Sequence, residues 1–310
     1  LYGDKGYISA LVTPQVIPDN AVGMVAVRYL VQENDVAYVE QVKIEPDGAA
    51  KLKTEDYVIR RELVVKNDEK FDSEKIQRSL EKIYNLGFFE DVRVNIEPAS
   101  APNKRNLIFT VKERQTGQLS LGAGYSSLNG LTGTLQVTEN NLFGKGQRIG
   151  LTWEFGAKIT NYEISFYEPW LFGTPTSFGT SVYRTTRQPF EEYKEQRTGA
   201  NLKFGVPFGE YTKVWFTYEY KEINIEADLK KASPEILQQQ GNHKFSSLVA
   251  NWVEDTRDRV FFDTTKGHRY SASMEYAGGV LFGTENYTKY IVEASWFYNI
   301  LWKFVIAFHS

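Results

Sequence analysis

No cysteine occurs among the 310 residues. That absence excludes disulfides, thiolate zinc sites and a cysteine nucleophile. Only three histidines are present, which leaves little room for histidine metal sites or histidine-based catalysis. No apolar run reaches the roughly 18 residues of a membrane-spanning helix. Net basic charge is also missing: 36 Lys and Arg face 39 Asp and Glu, for a net charge of −3. A phosphate-backbone binder would carry a basic surface, so nucleic acid is not an expected partner. Mean hydropathy of −0.41 with 24% charged residues fits neither a helical membrane protein nor a disordered chain. What the chain has is rings and glycines: 20 Phe, 19 Tyr, 6 Trp and 24 Gly. That mixture points to exposed strands carrying aromatic side chains.

The sequence begins at Leu1 without a signal segment and ends at His309-Ser310 inside an alternating apolar stretch. Both ends read as cut from a longer chain, so a missing targeting signal carries no compartment information.

Composition changes near Gly117. Residues 1–36 hold a Gly3-Asp4-Lys5-Gly6-Tyr7 turn and an alternating stretch at Val25, Val27, Tyr29 and Val31. They read as the tail of a domain. Residues 37–115 read as a small α+β unit, β-α-α-β-β, with two helices on one face of a short sheet. Tyr38–Glu45 alternates as a strand. Thr54 is placed to cap a first helix with Glu55 and Asp56 in its opening turn. A second helix starts at Asp72 or Ser73, with Ile76, Leu80, Ile83 and Tyr84 on one face and Gly87 behind its end. Val92, Val94 and Ile96 alternate, and so do Leu107, Phe109 and Val111.

From 116 to 310 we expect ten antiparallel strands and the start of an eleventh. Asn129-Gly130 signals a type I′ hairpin after the first. In the third, Ile149, Leu151, Trp153 and Phe155 oppose Arg148, Thr152 and Glu154. Strands of roughly 8–12 residues, apolar on one face only, suit a soluble sandwich or a transmembrane barrel, which needs about 9–11 residues per strand. The connections favour the barrel. One alternate set is mostly short and rimmed with rings (Phe143, Trp170, Phe172, Phe208, Tyr211). The other includes long polar loops at Thr186–Arg197 and Glu222–His243, the latter with a helical patch at Ile225, Leu229, Ile236 and Leu237.

Chemistry-bearing motifs are weak. Gly122-Ala123-Gly124 and Gly144-Lys145-Gly146 lack the strand–loop–helix context of a phosphate loop and read as strand glycines and a tight turn. Glu254, Asp255, Arg257, Asp258 and Arg259 form a charged run that reads as a network bracing a turn. His243 and His268 stand at strand ends. No Ser-His-Asp set stands out, so no enzyme, cofactor or metal is expected.

Several segments, in order over nearly the whole chain, resemble the BamA family of outer-membrane assembly factors. Gly3–Tyr7 with Val25–Val31 resemble the tail of one POTRA domain. Arg60-Arg61-Glu62-Leu63, Leu86-Gly87-Phe88-Phe89 and Val111-Lys112-Glu113-Arg114 resemble the barrel-proximal POTRA domain. Gly122-Ala123-Gly124-Tyr125-Ser126-Ser127 resembles the first barrel strand. Asn140–Gln147 and Tyr167-Glu168-Pro169-Trp170 resemble the next periplasmic turns, and the 252–259 run before Gly267 a later one. Departures occur at Phe262-Asp263, where the family carries Pro after the aromatic, and at Pro46-Asp47-Gly48, where it carries Gly-Asn. The family's lumen loop with a Val-Arg-Gly-aromatic motif is absent.

The resemblance implies a transmembrane antiparallel β-barrel, here partial at ten or eleven of sixteen strands and truncated at its C-terminal side, preceded by POTRA domains. It implies a bacterial outer-membrane location with the POTRA domains in the periplasm. The implied activity is folding and inserting client barrels by strand templating at a first-strand seam: Gly117, Leu119, Leu121, Gly122, Gly124 and Tyr125. Arg60, Arg61, Val92, Val94 and Ile96 are the implied partner-binding edge of the POTRA module. Implied partners are unfolded outer-membrane proteins, accessory assembly lipoproteins, periplasmic chaperones and the lipid bilayer. A polypeptide-secreting transporter of the two-partner type, or a TamA-like assembly factor, is the alternative.

Overall fold

The structure, a computed structural model, describes residues 2–19, 24–49, 51–209, 211–257, 264–301 and 304–310. Its compact units are 1–116 with 143–146, and 117–142 with 147–310.

In the first unit, β1 (Leu11–Asp19) and β2 (Met24–Gln32) form a two-stranded antiparallel ribbon. The sequence had shown only β2. A one-turn 3-10 helix at Gly3–Lys5 precedes the ribbon and meets the module that follows it. Ser73 Oγ donates to Asp4 at 2.5 Å, and the Ala37 amide donates to Gly6 O at 2.8 Å. The module runs β3 (Tyr38–Pro46), α1 (Asp56–Arg60), α2 (Ser73–Asn85), β4 (Phe89–Pro98) and β5 (Lys104–Glu113). Its sheet order is β3-β5-β4, with β3 parallel and β4 antiparallel to the central β5.

Apolar periodicity explains this core. Ile76 and Ile83 of α2 and Val58 and Ile59 of α1 meet Val39, Leu107, Phe109 and Val111 in one buried cluster. Asp72 caps α2, accepting from the amides of Glu74 and Lys75 at 2.9 and 3.1 Å, and Gly87 follows its end with φ 74°. Thr54 does not cap α1. Glu55 holds the cap position without a side-chain bond. Thr54 is buried, and its amide and that of Lys53 are held by the Glu113 carboxylate at 2.7 and 2.9 Å. Burial disfavours the Glu113 charge, but the Lys53 amide and the hydroxyl and amide of Thr54 outweigh it and keep the group below its ordinary range.

Among the described residues the second unit is one sheet of eleven antiparallel strands, each paired with its neighbours in sequence. They are β6 (Gly117–Ser126), β7 (Gly130–Leu142), β8 (Gln147–Gly156), β9 (Ile159–Glu168), β10 (Ser177–Phe190), β11 (Tyr193–Phe208), β12 (Thr212–Ala227), β13 (Gly241–Asp255), β14 (Gly267–Ala277), β15 (Tyr287–Leu301) and β16 (Phe304–His309), with a short α3 (Pro234–Gln238) after β12. Register sorts the faces. One cross-strand row runs Leu119, Val137, Leu151, Ile164, Val182, Ala200, Tyr220. The adjacent row, one residue along each strand, runs Ser120, Gln136, Thr152, Glu163, Tyr183, Gly199, Lys221. Side chains alternate with period two, so the first row marks an apolar face and the second a polar one.

Three sequence expectations are corrected. The β6–β7 connection is the three-residue loop 127–129, and Gly130, not Asn129, is left-handed (φ 71°). Ser126 Oγ accepts the Asn129 amide at 3.0 Å, which stabilises this longer loop over a type I′ turn. The expected loop Thr186–Arg197 is a hairpin, because β10 and β11 stay paired to Phe190 and Tyr193. The expected loop Glu222–His243 shrinks to 228–240, with Ile225 on β12 and only Ile236 and Leu237 of the patch on α3. The polarity of β12 misleads here. Val214, Phe216, Tyr218 and Tyr220 share a face with Glu222, Asn224 and Glu226, while Ile223 and Ile225 take the face of Glu219 and Lys221. The ladder continues through that exchange.

Two outcomes test the first unit. Ser79 is fully buried; its Oγ accepts the Val64 amide at 2.9 Å and donates to Lys75 O at 2.7 Å. Ser79→Ala leaves that amide unpaired, and urea unfolding should show a loss of about 1–3 kcal/mol. Glu113 contributes stability above the ordinary carboxylate range, and that contribution disappears as pH falls through its lowered value. Acid titration of Glu113→Gln should show lower stability at neutral pH and a gap to wild type that closes in acid.

Candidate strand-docking edges

A strand inside a sheet pairs on both sides; a terminal strand leaves one row of N–H and C=O groups free to template another. In the second unit β6 is such a strand, paired with β7 alone among the described residues. All ten of its residues are exposed, with Leu119 at 67%, Leu121 at 77% and Tyr125 at 81%. These three share the apolar face with Gly117. Gly122 and Gly124 lie on the polar face with Ser120 and Ser126, as the alternation dictates.

The glycines of this sheet separate into two kinds. At Gly133 an added Cβ would meet the Phe155 ring at 2.5 Å, and at Gly205 the Trp215 ring at 2.6 Å. A larger residue at either position would force the ring to move. At Gly122 and Gly124 the nearest atoms are 3.9 and 3.6 Å away, and neither glycine is left-handed. Neither crowding nor backbone conformation calls for glycine there. Its effect at both is to weaken β6, by roughly 0.5–1 kcal/mol each relative to alanine.

The first unit has two sheet edges of unequal access. The outer side of β3 is covered. Val39 N–H donates to Glu69 O, Asp68 N–H to Val39 O, and Val42 N–H to the Asn67 side chain, at 2.8, 2.8 and 2.9 Å. Arg60, held by Asp56 at 2.7 Å, reaches Val42 O on that same edge. The outer side of β4 carries no such ladder among the described residues. Val92 and Val94 face the core, and Ile96 is exposed. The structure therefore brings Val92, Val94 and Ile96 together but places Arg60 on the opposite edge. Arg61 lies beside Tyr57 and Glu62, away from β4.

The charged run divides. Asp255 pairs with Arg257 at 2.6 Å, while Glu254 meets His268 Nε2 at 3.0 Å. Successive residues of β13 face opposite sides, so these are two contacts rather than one network. Asp258 and Arg259 lie outside the described residues. Sequence reasoning missed a further edge, the overhang at the start of β13: its first residues, 241–243, fell inside an expected loop, and alternation does not show how far a strand outruns its neighbour.

Comparison with known proteins agrees with this architecture. The Omp85 superfamily domain matches residues 141–310. A POTRA family model, described as a surface antigen variable number repeat, matches residues 37–114. The outer membrane protein assembly factor BamA of Nitratidesulfovibrio vulgaris is 29% identical over 297 residues, covering 94% of this chain and 36% of that protein. That of Neisseria meningitidis serogroup B is 30% identical over 230 residues, covering 72% of this chain and 28% of that protein. The chain thus spans about a third of the length of these relatives. The crystal structure of BamA from Haemophilus ducreyi lacking POTRA domains 1–3 aligns with a TM-score of 0.73 at 20% identity, over 96% of this chain and 58% of that one. With the family model on more than half its length and an antiparallel sheet of the same fold, the chain belongs to the Omp85 superfamily and is a protein of the BamA family.

Proposed function

We propose that this chain is the central part of an outer-membrane protein assembly factor that folds client β-barrels into the bilayer by pairing their strands with β6. We assign residues 1–36 to the tail of one POTRA domain, 37–115 to the barrel-proximal POTRA domain and 116–310 to the leading part of the barrel. The protein is an outer-membrane protein with its POTRA module in the periplasm.

The observation that carries the reading is the exposed terminal strand β6, weakened by two glycines that its packing does not require. An open edge supplies the donors and acceptors that a client strand lacks in hydrocarbon, where an unpaired backbone group costs several kcal/mol. Alternation then sets register. A client strand that places its apolar residues level with Leu119, Leu121 and Tyr125 keeps its polar face with Ser120 and Gly122. A slip by one residue would turn that polar face to lipid. A weak β6 lets the joint open again once the client closes on itself. No hydrolysis or cofactor enters this reading; client folding supplies the free energy. In the first unit, the open edge of β4 offers unfolded clients, accessory lipoproteins or chaperones the same backbone recognition, with Val92, Val94 and Ile96 setting its local pattern.

No cysteine in these 310 residues competes with one introduced here. Single cysteines at Leu119, Leu121 and Tyr125 of the full-length protein should form disulfides with cysteines in a client's terminal strand during assembly, and the pairs should follow one register. Crosslinks confined to Arg148 or Glu154 on the polar face would contradict the reading and favour a secretion channel. A second variant isolates the glycines. Gly122→Val with Gly124→Val has room to fold, and should slow client release severalfold while leaving the POTRA module's stability unchanged. Unaltered assembly kinetics would remove the glycines from the mechanism.

A further inference from the structure

β13 overhangs its neighbour. It pairs with β12 from Glu254 back to Gly241, but with β14 only from Asp255 to Ser247. Among the described residues, 241–246 thus have a strand on one side and none on the other. The loop 278–286 fills the vacant side. Gly278 N–H donates to Ser246 O at 2.9 Å and Thr284 N–H to Lys244 O at 2.8 Å. Lys244 N–H donates to Thr284 Oγ1 at 2.8 Å. At Gly283 an added Cβ would stand 3.0 Å from Lys244 O, so the loop backbone lies directly on the edge. Asn286 Oδ1 closes the loop on itself, accepting the Gly279 amide at 2.6 Å.

One side chain ties this loop to the preceding one. His243 Nδ1 is 2.8 Å from Glu285 Oε1, and its Nε2 is 3.0 Å from the Gln239 carbonyl. Both partners are acceptors. A neutral imidazole has one N–H and can satisfy only one of them; the imidazolium donates to both. The surrounding charges are already paired. From β11, Arg197 is held by Glu195. From β12, Lys221 is held by Glu219 at 3.0 Å, and Ile223 and Ile225 line the space beside the ring with Phe245 of β13. Gln239 brings no charge from its loop, and Glu285 is the carboxylate that faces the ring from the loop on the other side.

We propose that the loop 278–286 is a plug that pairs with the overhanging edge of β13 in place of a strand, and that the imidazolium of His243, shared between Glu285 and Gln239, is the clasp that holds it. The clasp stands beyond the apolar rows of the sheet, level with Ile223 on β12. Glu285 first, and then the Gln239 carbonyl, raise His243 above its ordinary range. The clasp's stabilisation is therefore complete below the ordinary histidine pKa of about 6.5 and is lost as pH rises through the raised value of the closed loop. Losing it exposes Lys244–Ser246 as an open strand edge.

Hydrogen exchange resolved to single amides tests this on the full-length protein in liposomes. Protection factors, which correct for the intrinsic pH dependence of exchange, should fall severalfold for Lys244, Gly278 and Thr284 between about pH 6 and pH 9, as the imidazolium loses its proton. In His243→Asn and in Glu285→Gln they should be low at both pH values. Amides of the β8–β9 ladder, protected equally throughout, report that each variant is folded. Protection that is constant with pH in the native protein, or a fall that persists unchanged in His243→Asn, would overturn the proposal.

Discussion

Every feature of this chain that bears on function follows from one constraint: a β-strand has two hydrogen-bonding sides, and both must be satisfied. Among the described residues, eleven strands in sequence order satisfy one another except along the outer sides of the first and last and where a strand overruns its shorter neighbour, as β13 overruns β14 and β15 overruns β16. The module in the first unit solves the same problem for three strands by covering one side of β3 with residues 67–70 and leaving β4 open. In the second unit a loop takes the place of a missing neighbour along the overhang of β13. Covered and open edges are thus distributed selectively. The open ones are where an extended polypeptide can bind without any pocket, and that is the recognition an unfolded barrel strand requires.

The same constraint gives the glycines of β6 their meaning. At Gly133 and Gly205 glycine makes room for a ring on the next strand, that of Phe155 and of Trp215, whereas Gly179 of β10 is uncrowded as Gly122 and Gly124 are. Gly122 and Gly124 are not crowded by any of the described residues, whose nearest atoms lie 3.9 and 3.6 Å from an added Cβ. A strand that must hold a client and then release it gains from weak intrinsic preference, because both steps use the same backbone bonds. Stability and turnover oppose one another at this strand, as strain and function do at many sites.

Much of this was legible in the sequence. Period-two alternation gave the number of strands after Gly117, because one apolar face repeats in each of them. The α+β module was readable from the 3.6-residue spacing of Ile76, Leu80 and Ile83 and from Asp72 at the helix start. What the alternation could not give was where strands end. Past Tyr220 the apolar residues change face, so β12 looks like a loop although its ladder continues to Ala227. β1 was missed because Pro14 interrupts its pattern, although a proline is tolerated where its nitrogen points away from the partner strand. Thr54 was misplaced as a cap because its true role depends on Glu113, 59 residues away in sequence. The β4 edge was readable as a strand but not as the open one, since the cover on β3 comes from the backbone of Asp68 and Glu69 and the side chains of Asn67 and Arg60, none of which carries a sequence signature for that contact. Arg60 was grouped with that edge by resemblance, and its contact with Val42 O puts it on the other.

The central claim is that a client strand completes the backbone bonding of β6. The most direct measurement is the structure of the full-length protein trapped with a client midway through assembly. The account predicts continuous backbone hydrogen bonds between a client strand and the free side of β6, with the client's apolar residues level with Leu119, Leu121 and Tyr125. Client density against the polar face beside Arg148 and Glu154, with the free side of β6 unpaired, would contradict it.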